Sequence, residues 1–346
     1  MKDLTAVRDE DRFDVAKMHT WLRPFINEDQ LPEVMQFRSG ASNLTYLLSY
    51  SERDLVLRKP PVGTKAASAH DMKREYLIQS RLQSVYPLVP KMIALCDDQS
   101  VMGSDFYVME RVEGEIFRRD IPEAITAADI SVMADSLING LVQLHAVDSS
   151  ILKELNKGAG YVQRQVAGWS KRYRNALTDD VPAAEKLMAW LAANQPDDVD
   201  SCIIHGDWRI DNMVFDLANA RIAGVLDWEL ATVGDPLMDL GTSLGYWTLA
   251  SDHDFVKQGI PSPTIFEGNP IRSEIVASYS NKSGRDIHNI VFYYAFGLFK
   301  IAVIAQQIYY RYSKGLTSDP RFANLDKAAE LCCNLALKSI KTNSID

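Results

Sequence analysis

The hydrophobic periodicity of this 346-residue chain changes once, near residues 112–114. Before that point, short apolar runs alternate as half-buried strands do. After it, apolar residues mostly recur at the three- and four-residue spacing of helices. At about 150 residues per domain, the length also indicates roughly two domains. We therefore predict an α+β protein with a sheet-rich N-terminal lobe, residues 1–111, and a larger, mainly helical C-terminal lobe, residues 112–346.

The N-terminal lobe is predicted to be an antiparallel sheet of about five strands with one helix. An amphipathic segment at residues 14–25 precedes it, and the helix is predicted over residues 70–82. The strands are predicted within residues 36–50 and at 54–58, 89–95 and 106–110.

In the C-terminal lobe, helices are predicted at 124–145, 161–177, 183–193, 270–279, 286–311 and 321–340. Short extended pieces interrupt them at 202–205, 212–215 and 222–227. Two unlike lobes imply a cleft between them, and small-molecule sites concentrate in such clefts.

Charge and composition argue against two classes of partner. Lys and Arg number 37 and Asp and Glu 46, for a net charge of −9, and there is no basic tract. We therefore expect no nucleic acid partner, because backbone phosphates require clustered cations. The most lipid-like stretch, residues 290–310, is interrupted by Lys300 and two glutamines, which favours a buried helix and no membrane partner. The sequence leaves the oligomeric state open.

The four cysteines have neither disulfide-framework nor metal-ligand spacing, which favours a reducing compartment. The first residues mix both charge signs, unlike a secretory signal, and are too acidic for a transit peptide. We therefore predict a cytoplasmic protein whose mature chain starts at or near Met1.

The most informative motif is H-G-D-W-R-I-D-N at residues 205–212, followed by Asp227 within G-V-L-D-W-E. Apolar flanks place Asp207, Asn212 and Asp227 on turns and strand ends of a buried scaffold, where carboxylates need a cation or donor partner. An Asp that accepts a hydroxyl proton, with an Asn and a second Asp as oxygen ligands for Mg²⁺, suits phosphoryl transfer. The alternative is that the three residues are caps and turn residues.

These motifs resemble the aminoglycoside phosphotransferase family, whose members share the two-lobed protein-kinase-like fold. Several segments are similar to the subgroup fused to certain acyl-CoA dehydrogenases, among them LVLRKPPVG, FYVMERVEG and GVLDWELATVGDPLMDL. The resemblance implies that Asp207 is the catalytic base and that Asn212 and Asp227 hold magnesium. It also implies that Arg209 steadies the transferring phosphate.

The resemblance extends to a nucleotide site in the N-terminal lobe. Arg58 falls where the kinase V-A-I-K motif has its lysine, and Lys59 is the alternative phosphate contact if the strand register shifts by one. Glu75 is the predicted partner of that cation, although such a pair is also common as a surface salt bridge. The phosphate-covering loop is predicted to include Ser39, Gly40, Ser42 and Asn43, with an ordinary hairpin turn as the alternative.

The end of the last N-terminal strand resembles a kinase hinge. Met109 would line the adenine pocket, and the carbonyl of Glu110 and the N–H of Val112 would pair with the base. An edge strand entering a linker explains the same residues almost as well.

Other polar and aromatic residues are predicted to have structural roles. His145 and His205 are interpreted as interior histidines, and Asp211 as a solvent-side charge. Asp235 is predicted to cap a helix along which Asp239 turns inward to hold the catalytic loop. At helical spacing, aromatic side chains are more often core than pocket, and this applies to Tyr246, Trp247, Tyr293 and Tyr294.

The sequence therefore predicts an ATP- and Mg²⁺-dependent phosphotransferase acting on a hydroxyl of a small molecule. The resemblance allows an aminoglycoside, an amino alcohol, a sugar or a hydroxyacyl-CoA as acceptor. A catalytically inactive nucleotide-binding or interaction module is the alternative from another class. Metal-assisted hydrolysis is a weaker rival, because the sequence lacks the histidine-rich ligand set usual for it.

Overall fold

A computed structural model describes residues 4–38, 43–61, 71–179 and 181–346. The chain divides into two compact units. The first comprises Met1–Gly114 and Ala223–Leu230, and the second comprises Glu115–Ile222 and Ala231–Asp346. A single boundary at residue 111 therefore does not describe the chain, since the segment that carries Asp227 belongs to the first unit.

The first unit contains a six-stranded antiparallel sheet in the order β1-β2-β3-β4-β6-β5. The extra strand relative to prediction is β1, whose two residues are too few to show alternation. The predicted strand at 106–110 coincides with β6. The elements of this unit are β1 (Leu4–Thr5), α1 (Val15–Ile26), β2 (Glu33–Phe37), β3 (Leu44–Ser49), β4 (Asp54–Lys59), α2 (Met72–Leu82), β5 (Met92–Cys96), α3 (Gln99–Met102) and β6 (Phe106–Glu110).

Strand β4 sends alternate side chains to opposite faces of this sheet. Leu55 and Leu57 belong to a buried cluster with residues of α1, whereas Val56 packs with Met72 of α2 and with neighbours on β5 and β6. The same alternation places Arg58 on the face of Val56.

The second unit is mainly helical, and the predicted α+β organisation is confirmed. Its elements, in chain order, are α4 (Ala127–His145), α5 (Tyr161–Asn175), α6 (Pro182–Ala193), β7 (Cys202–Ile204), β8 (Met213–Asp216), β10 (Thr232–Gly234), α7 (Pro236–Tyr246), α8 (Asp254–Gly259), α9 (Arg272–Ser283), α10 (Ile290–Ser313) and α11 (Leu325–Thr342). Strand β9 (Arg221–Val225) begins in the second unit, and its residues from Ala223 onward belong to the first. β7 pairs with β10 in antiparallel register. The cap predicted at Asp235 is confirmed, because its Oδ1 accepts the N–H groups of Leu237 and Met238.

Helix α10 is long and apolar enough to cross a membrane by length and composition, and 78% of its apolar window is buried within the protein. It meets α7 backbone to backbone at two glycines. A Cβ atom on Gly297 would lie 2.1 Å from the carbonyl oxygen of Gly241, and one on Gly241 would lie 2.2 Å from that of Tyr293. The two helices can approach this closely only because both positions lack a side chain.

We expect Gly297→Ala to lower the free energy of unfolding by about 3 kcal/mol, because the added methyl group meets backbone that cannot move aside. The matched control is Gly168→Ala in α5, where an added Cβ has no heavy atom within 4 Å. There the helix preference of Ala should raise stability by about 0.5–1 kcal/mol. Urea unfolding of both variants measures the difference, and equal effects would contradict the close crossing.

Candidate active site

Asp239, a buried residue of α7, holds the start of the loop at residues 205–212 through two hydrogen bonds. The N–H of His205 donates to Oδ2 of Asp239 at 2.7 Å, and the N–H of Gly206 donates to Oδ1 at 2.8 Å. Burial alone would raise the pKa of Asp239, but the hydrogen bonds that it accepts from the His145 ring and the His205 N–H outweigh burial and lower that pKa. The predicted inward turn of Asp239 is confirmed.

Both histidines near this loop are interior residues, as predicted. Nε2 of His145 lies 3.3 Å from Oδ2 of Asp239, and its Nδ1 lies 2.7 Å from the Tyr279 hydroxyl. Burial lowers the pKa of His145, so the neutral ring donates to Asp239 and accepts from Tyr279. The N–H of Asp207 donates to Nδ1 of His205 at 3.2 Å, and the His205 ring packs edge-to-face on Trp208.

Asp207 and Asn212 are joined directly by hydrogen bonds. Nδ2 of Asn212 donates to the carbonyl oxygen of Asp207 at 3.0 Å and to its carboxylate Oδ2 at 3.1 Å. A short 3₁₀ turn, Ile210–Asn212, brings the two side chains together. Because the amide nitrogen is committed to Asp207, Oδ1 of Asn212 is left as an acceptor, and no residue in the described ranges donates to it.

Arg209 interacts with two side chains that its motif does not predict. Its guanidinium forms a two-pronged ion pair with Asp211 and lies over the ring of Tyr246, 4.5 Å from the ring centroid. The prediction that Asp211 is a solvent-side charge is therefore wrong, because only 20% of its side chain is exposed. Charged groups two residues apart on a loop give no sequence signal that distinguishes the two cases.

Arg209 also lines a cavity of about 390 Å³ within the second unit, together with Arg118, Tyr246, Trp247, Ser262 and Thr264. A more apolar cavity of about 270 Å³ adjoins it, lined by Phe117, Ile130 and Phe215. The two cavities share Leu137, Ile210 and Trp247 as walls.

The core prediction is correct for three of the four aromatic residues. Trp247, Tyr293 and Tyr294 are buried, whereas Tyr246 is half-buried and, like Trp247, borders the 390 Å³ cavity. Helical spacing alone could not separate Tyr246 from the others, because a core face and a cavity wall require the same periodicity.

In the first unit, Arg58, Glu75 and Asp227 form a charge cluster that is buried at Glu75 and partly exposed at Asp227. Nη2 of Arg58 lies 3.0 Å from Oδ1 of Asp227 and 3.7 Å from Oε2 of Glu75. Tyr107 donates its hydroxyl to Oε2 of Glu75 at 2.8 Å, and Asn43 donates its amide to Oε1 at 3.2 Å. Burial raises the pKa of Glu75, and the Arg58 guanidinium and the Tyr107 hydroxyl offset only part of that rise.

The backbone around Asp227 is fixed by neighbouring residues of the D-W-E segment. Val225 donates its N–H to the carbonyl oxygen of Leu88 at 2.7 Å, and the Trp228 indole donates to the carbonyl oxygen of Val225 at 2.8 Å. Asp227 has a φ of +67°, in the left-handed region that non-glycine residues seldom adopt. Such strain is concentrated at functional sites, and Oδ2 of Asp227 accepts no hydrogen bond from the described residues.

Arg58 and Lys59 point to opposite faces of the sheet. Lys59 is buried and its Nζ lies 3.4 Å from the carbonyl oxygen of Met102, whereas Arg58 joins the acidic cluster. The side chain of Asn43 is 3% exposed, and its amide also lies 3.4 Å from Oε2 of Glu229. The other predicted loop residues, Ser39, Gly40 and Ser42, lie outside the described residues.

At the end of β6, neighbouring backbone groups point in opposite directions. The N–H of Glu110 donates to the carbonyl oxygen of Lys91, whereas that of Arg111 donates to Asp54 on the other side. Within the described ranges, the N–H of Val112 meets no acceptor, and its side chain packs on Gly224. Met109 is buried among core residues of the α2 face.

The described residues include no group of three or more His, Cys, Asp or Glu side chains that could hold a metal ion. The predicted magnesium ligands are one amide and one carboxylate, Asn212 in the second unit and Asp227 in the first. Each retains an oxygen without a described donor, and hard oxygen donors suit Mg²⁺. The roles of all these residues stay predictions.

A model of the phosphotransferase enzyme family (APH) matches residues 33–260. The chain belongs to this family. It is 35% identical over 354 aligned residues to acyl-CoA dehydrogenase family member 11 of Pongo abelii, which covers 98% of this chain and 45% of that protein. The chain thus spans about half the length of the curated relatives it matches.

Solved structures confirm the protein-kinase-like fold of this family and the resemblance identified from sequence. A Ralstonia eutropha JMP134 protein assigned to the aminoglycoside phosphotransferases is 30% identical, with a TM-score of 0.81 over 96% of this chain and 99% of that one. A mutant of aminoglycoside phosphotransferase APH(4)-Ia, in ternary complex with AMP-PNP and hygromycin B, is 14% identical. Its TM-score is 0.60 over 93% of this chain and 98% of that one, which shows the fold alone. Family and fold together support a small-molecule phosphotransferase.

We expect Arg58→Met to cost about 3–5 kcal/mol of unfolding free energy, because it leaves Glu75 buried without its counter-ion. Without Arg58 the pKa of Glu75 rises further above its unfolded value. A carboxyl group with a raised folded-state pKa contributes stability at low pH and loses it as pH rises. The loss should therefore be larger at pH 8 than at pH 5.

Urea unfolding at the two pH values provides the measurement. Lys91→Met is the matched control, because Lys91 and Glu110 form an exposed pair at 2.9 Å, worth less than about 1 kcal/mol. A loss that is the same at both pH values would argue against a charge cluster centred on Glu75.

Proposed function

We propose that this protein is an ATP- and Mg²⁺-dependent kinase that transfers the γ-phosphoryl group to a hydroxyl of a small molecule. The observation that carries the proposal is the pair of hydrogen bonds from the Asn212 amide to Asp207. They fix the carboxylate proposed as the base and leave the amide oxygen proposed as a magnesium ligand without a described donor. That combination is what phosphoryl transfer requires of such a loop.

In the proposed reaction, Asp207 orients the acceptor hydroxyl and takes its proton. The hydroxyl oxygen forms a bond to the γ-phosphorus, the bond to the β–γ bridging oxygen breaks, and ADP leaves. Mg²⁺, when held by Asn212 and Asp227, would neutralise charge on the phosphate oxygens. Because there is little covalent chemistry for the protein to perform, positioning and charge dominate catalysis.

Arg58 is the proposed contact to the α- and β-phosphates, in preference to Lys59. Its position on the α2 face, paired with Glu75 and Asp227, supports this assignment. Ser39, Gly40, Ser42 and Asn43 are proposed to form the loop over the phosphates, with the Asn43 side chain acting through Glu75. Met109, Glu110 and Val112 are proposed to receive the adenine, and the Val112 N–H, which meets no acceptor among the described residues, is consistent with this role.

Arg209 is proposed to act mainly toward the acceptor, because Asp211 and Tyr246 hold it at the 390 Å³ cavity. Two arginines and one aspartate line that cavity, and their net positive charge is a poor match for a polycationic aminoglycoside. Two acidic residues of the segment at 251–270, which follows α7, are also paired, Asp252 with Arg272 and Asp254 with Lys257.

An acceptor with an anionic part and an apolar part fits the two adjoining cavities better. Among the acceptors considered, a hydroxyacyl-CoA has both parts. The name of the dehydrogenase relatives agrees with an acyl-CoA acceptor. We also propose a cytoplasmic location, in keeping with four free, buried cysteines among the described residues.

Two substitutions separate the proposed base from the proposed metal ligand. Asp207→Asn should lower ADP formation about 10²–10⁴-fold, since it removes the proton acceptor, and should keep the Mg²⁺-dependent rise in melting temperature with ATP. Asp227→Ala should abolish that Mg²⁺-dependent rise. ADP assays and melting curves with Mg²⁺ or with EDTA measure both effects.

Asp216→Asn is the control, because Asp216 caps a surface turn in the same unit as Asp207. Full ADP formation by Asp207→Asn would refute the assignment of the base. Absence of any ATP turnover by the wild-type protein would favour the inactive-module alternative.

The acceptor class is tested by ADP release with panels of hydroxyacyl-CoAs, sugars, amino alcohols and aminoglycosides. We expect hydroxyacyl-CoAs to give the highest kcat/KM, and Arg118→Met to raise KM for them about 10-fold, the effect of losing one charged hydrogen bond. KM for ATP should not change. Preference for an aminoglycoside would overturn the acceptor proposal and leave the phosphotransferase proposal intact.

A further inference from the structure

Lys300 is a buried cation in the middle of the apolar helix α10. It is 6% exposed and is the single charged residue between positions 290 and 310. Its Nζ donates to the carbonyl oxygen of Gly206, the residue immediately before Asp207. The N–H of the same glycine donates to Asp239 at 2.8 Å. Buried charges of opposite sign therefore hold both polar groups of Gly206.

The helices that carry these two charges are themselves fixed against each other. Asp239 lies on α7 two residues before Gly241, and Lys300 lies on α10 three residues after Gly297, where the two backbones touch. Close backbone packing leaves little freedom for either charge to shift. Gly206 adopts a φ of +82°, which a residue with a side chain would adopt only with strain.

Placing the Lys300 charge in this buried position costs free energy of desolvation, so its presence calls for a functional explanation. Its Nζ lies 5.5 Å from the ring centroid of Trp169, and the charges that act on it belong to Asp207, Asp239 and Arg172. Burial lowers the pKa of Lys300, and the two aspartates oppose that effect. An apolar side chain of similar size would avoid the desolvation cost, so stability gives little reason for a lysine here.

We propose that Lys300 is a positioning residue for phosphoryl transfer, acting through the Gly206 carbonyl to fix the backbone that carries Asp207. The inference rests on the proposed function, because it assumes that Asp207 is the base. Small displacements of a reacting group cost up to about 100-fold in rate. Loss of Lys300 should therefore change turnover far more than nucleotide binding.

The test compares Lys300→Met with Gln306→Met, using MgATP hydrolysis without acceptor and the rise in melting temperature with MgATP. Gln306 is a buried polar residue on the same helix whose amide donates to the Ala176 carbonyl, away from the catalytic loop. We expect Lys300→Met to lower kcat at least 10-fold with KM for MgATP within 2-fold of wild type. Gln306→Met should leave both values within 2-fold. An unchanged kcat in Lys300→Met would overturn the proposal.

Coupling to Asp207 separates positioning from a general structural effect. In the Asp207→Asn background, Lys300→Met should lower the residual hydrolysis less than 2-fold, because the group it positions is already lost. A further drop of the same factor as in the wild-type background would overturn the proposal. Lys300→Gln replaces Lys300→Met throughout if the latter does not fold, with the same expected results.

A readout independent of activity is hydrogen exchange of peptides covering residues 205–212. Exchange should be at least 5-fold faster in Lys300→Met than in wild type and Gln306→Met, and unchanged in peptides of the first unit. Equal exchange in Lys300→Met and wild type would overturn the proposal that Lys300 fixes the backbone at Gly206. If wild type forms no ADP from MgATP either alone or with any acceptor of the panel, the proposed function fails, while the exchange experiment still decides whether Lys300 holds the loop.

Discussion

The second unit is organised around the charge of Asp239. Removing a carboxylate from water is costly, and here two backbone N–H groups and a neutral histidine compensate for that cost. The two N–H groups belong to His205 and Gly206, the first residues of the H-G-D motif, so the hydrogen bonds that stabilise Asp239 also shape the loop. The direction in which Asp207 leaves the scaffold therefore follows from a hydrogen-bonding requirement 33 residues away in sequence.

The first unit solves a similar problem with Glu75. This carboxylate is as buried as Asp239, but its partners are side chains from three strands or loops. Tyr107 and Asn43 donate hydrogen bonds to it, and Arg58 forms an ion pair with it. Glu75 therefore joins a cluster of side chains, whereas Asp239 fixes a stretch of backbone. Its charge balance includes Asp227, so the strained residue proposed to hold metal is coupled to the cation proposed to hold phosphate. A change at any member alters the electrostatic environment of the others.

Patterns in the sequence predict the structure where it depends on residues that are close together along the chain. Alternation along Asp54–Lys59 is enough to place Arg58 on the face of Val56, because the strand period is two. The strand Thr232–Gly234 was missed, since three residues cannot show a period. In the sequence, Lys300 is visible only as an interruption of an apolar helix. Its partner is 94 residues away, and no sequence spacing signals a contact of that kind.

Arg209 shows how much of a residue's surroundings a motif leaves unspecified. Kinase-like spacing favoured contact with the transferring phosphate, but the guanidinium is held in one plane by Asp211 and supported by the Tyr246 ring. Both interactions use the planar fork that distinguishes Arg from Lys. With both partners in place, Arg209 presents its charge at the wall of the 390 Å³ cavity. The loop that carries the proposed base therefore also places a positive charge at the cavity proposed for the acceptor, two residues further along the chain.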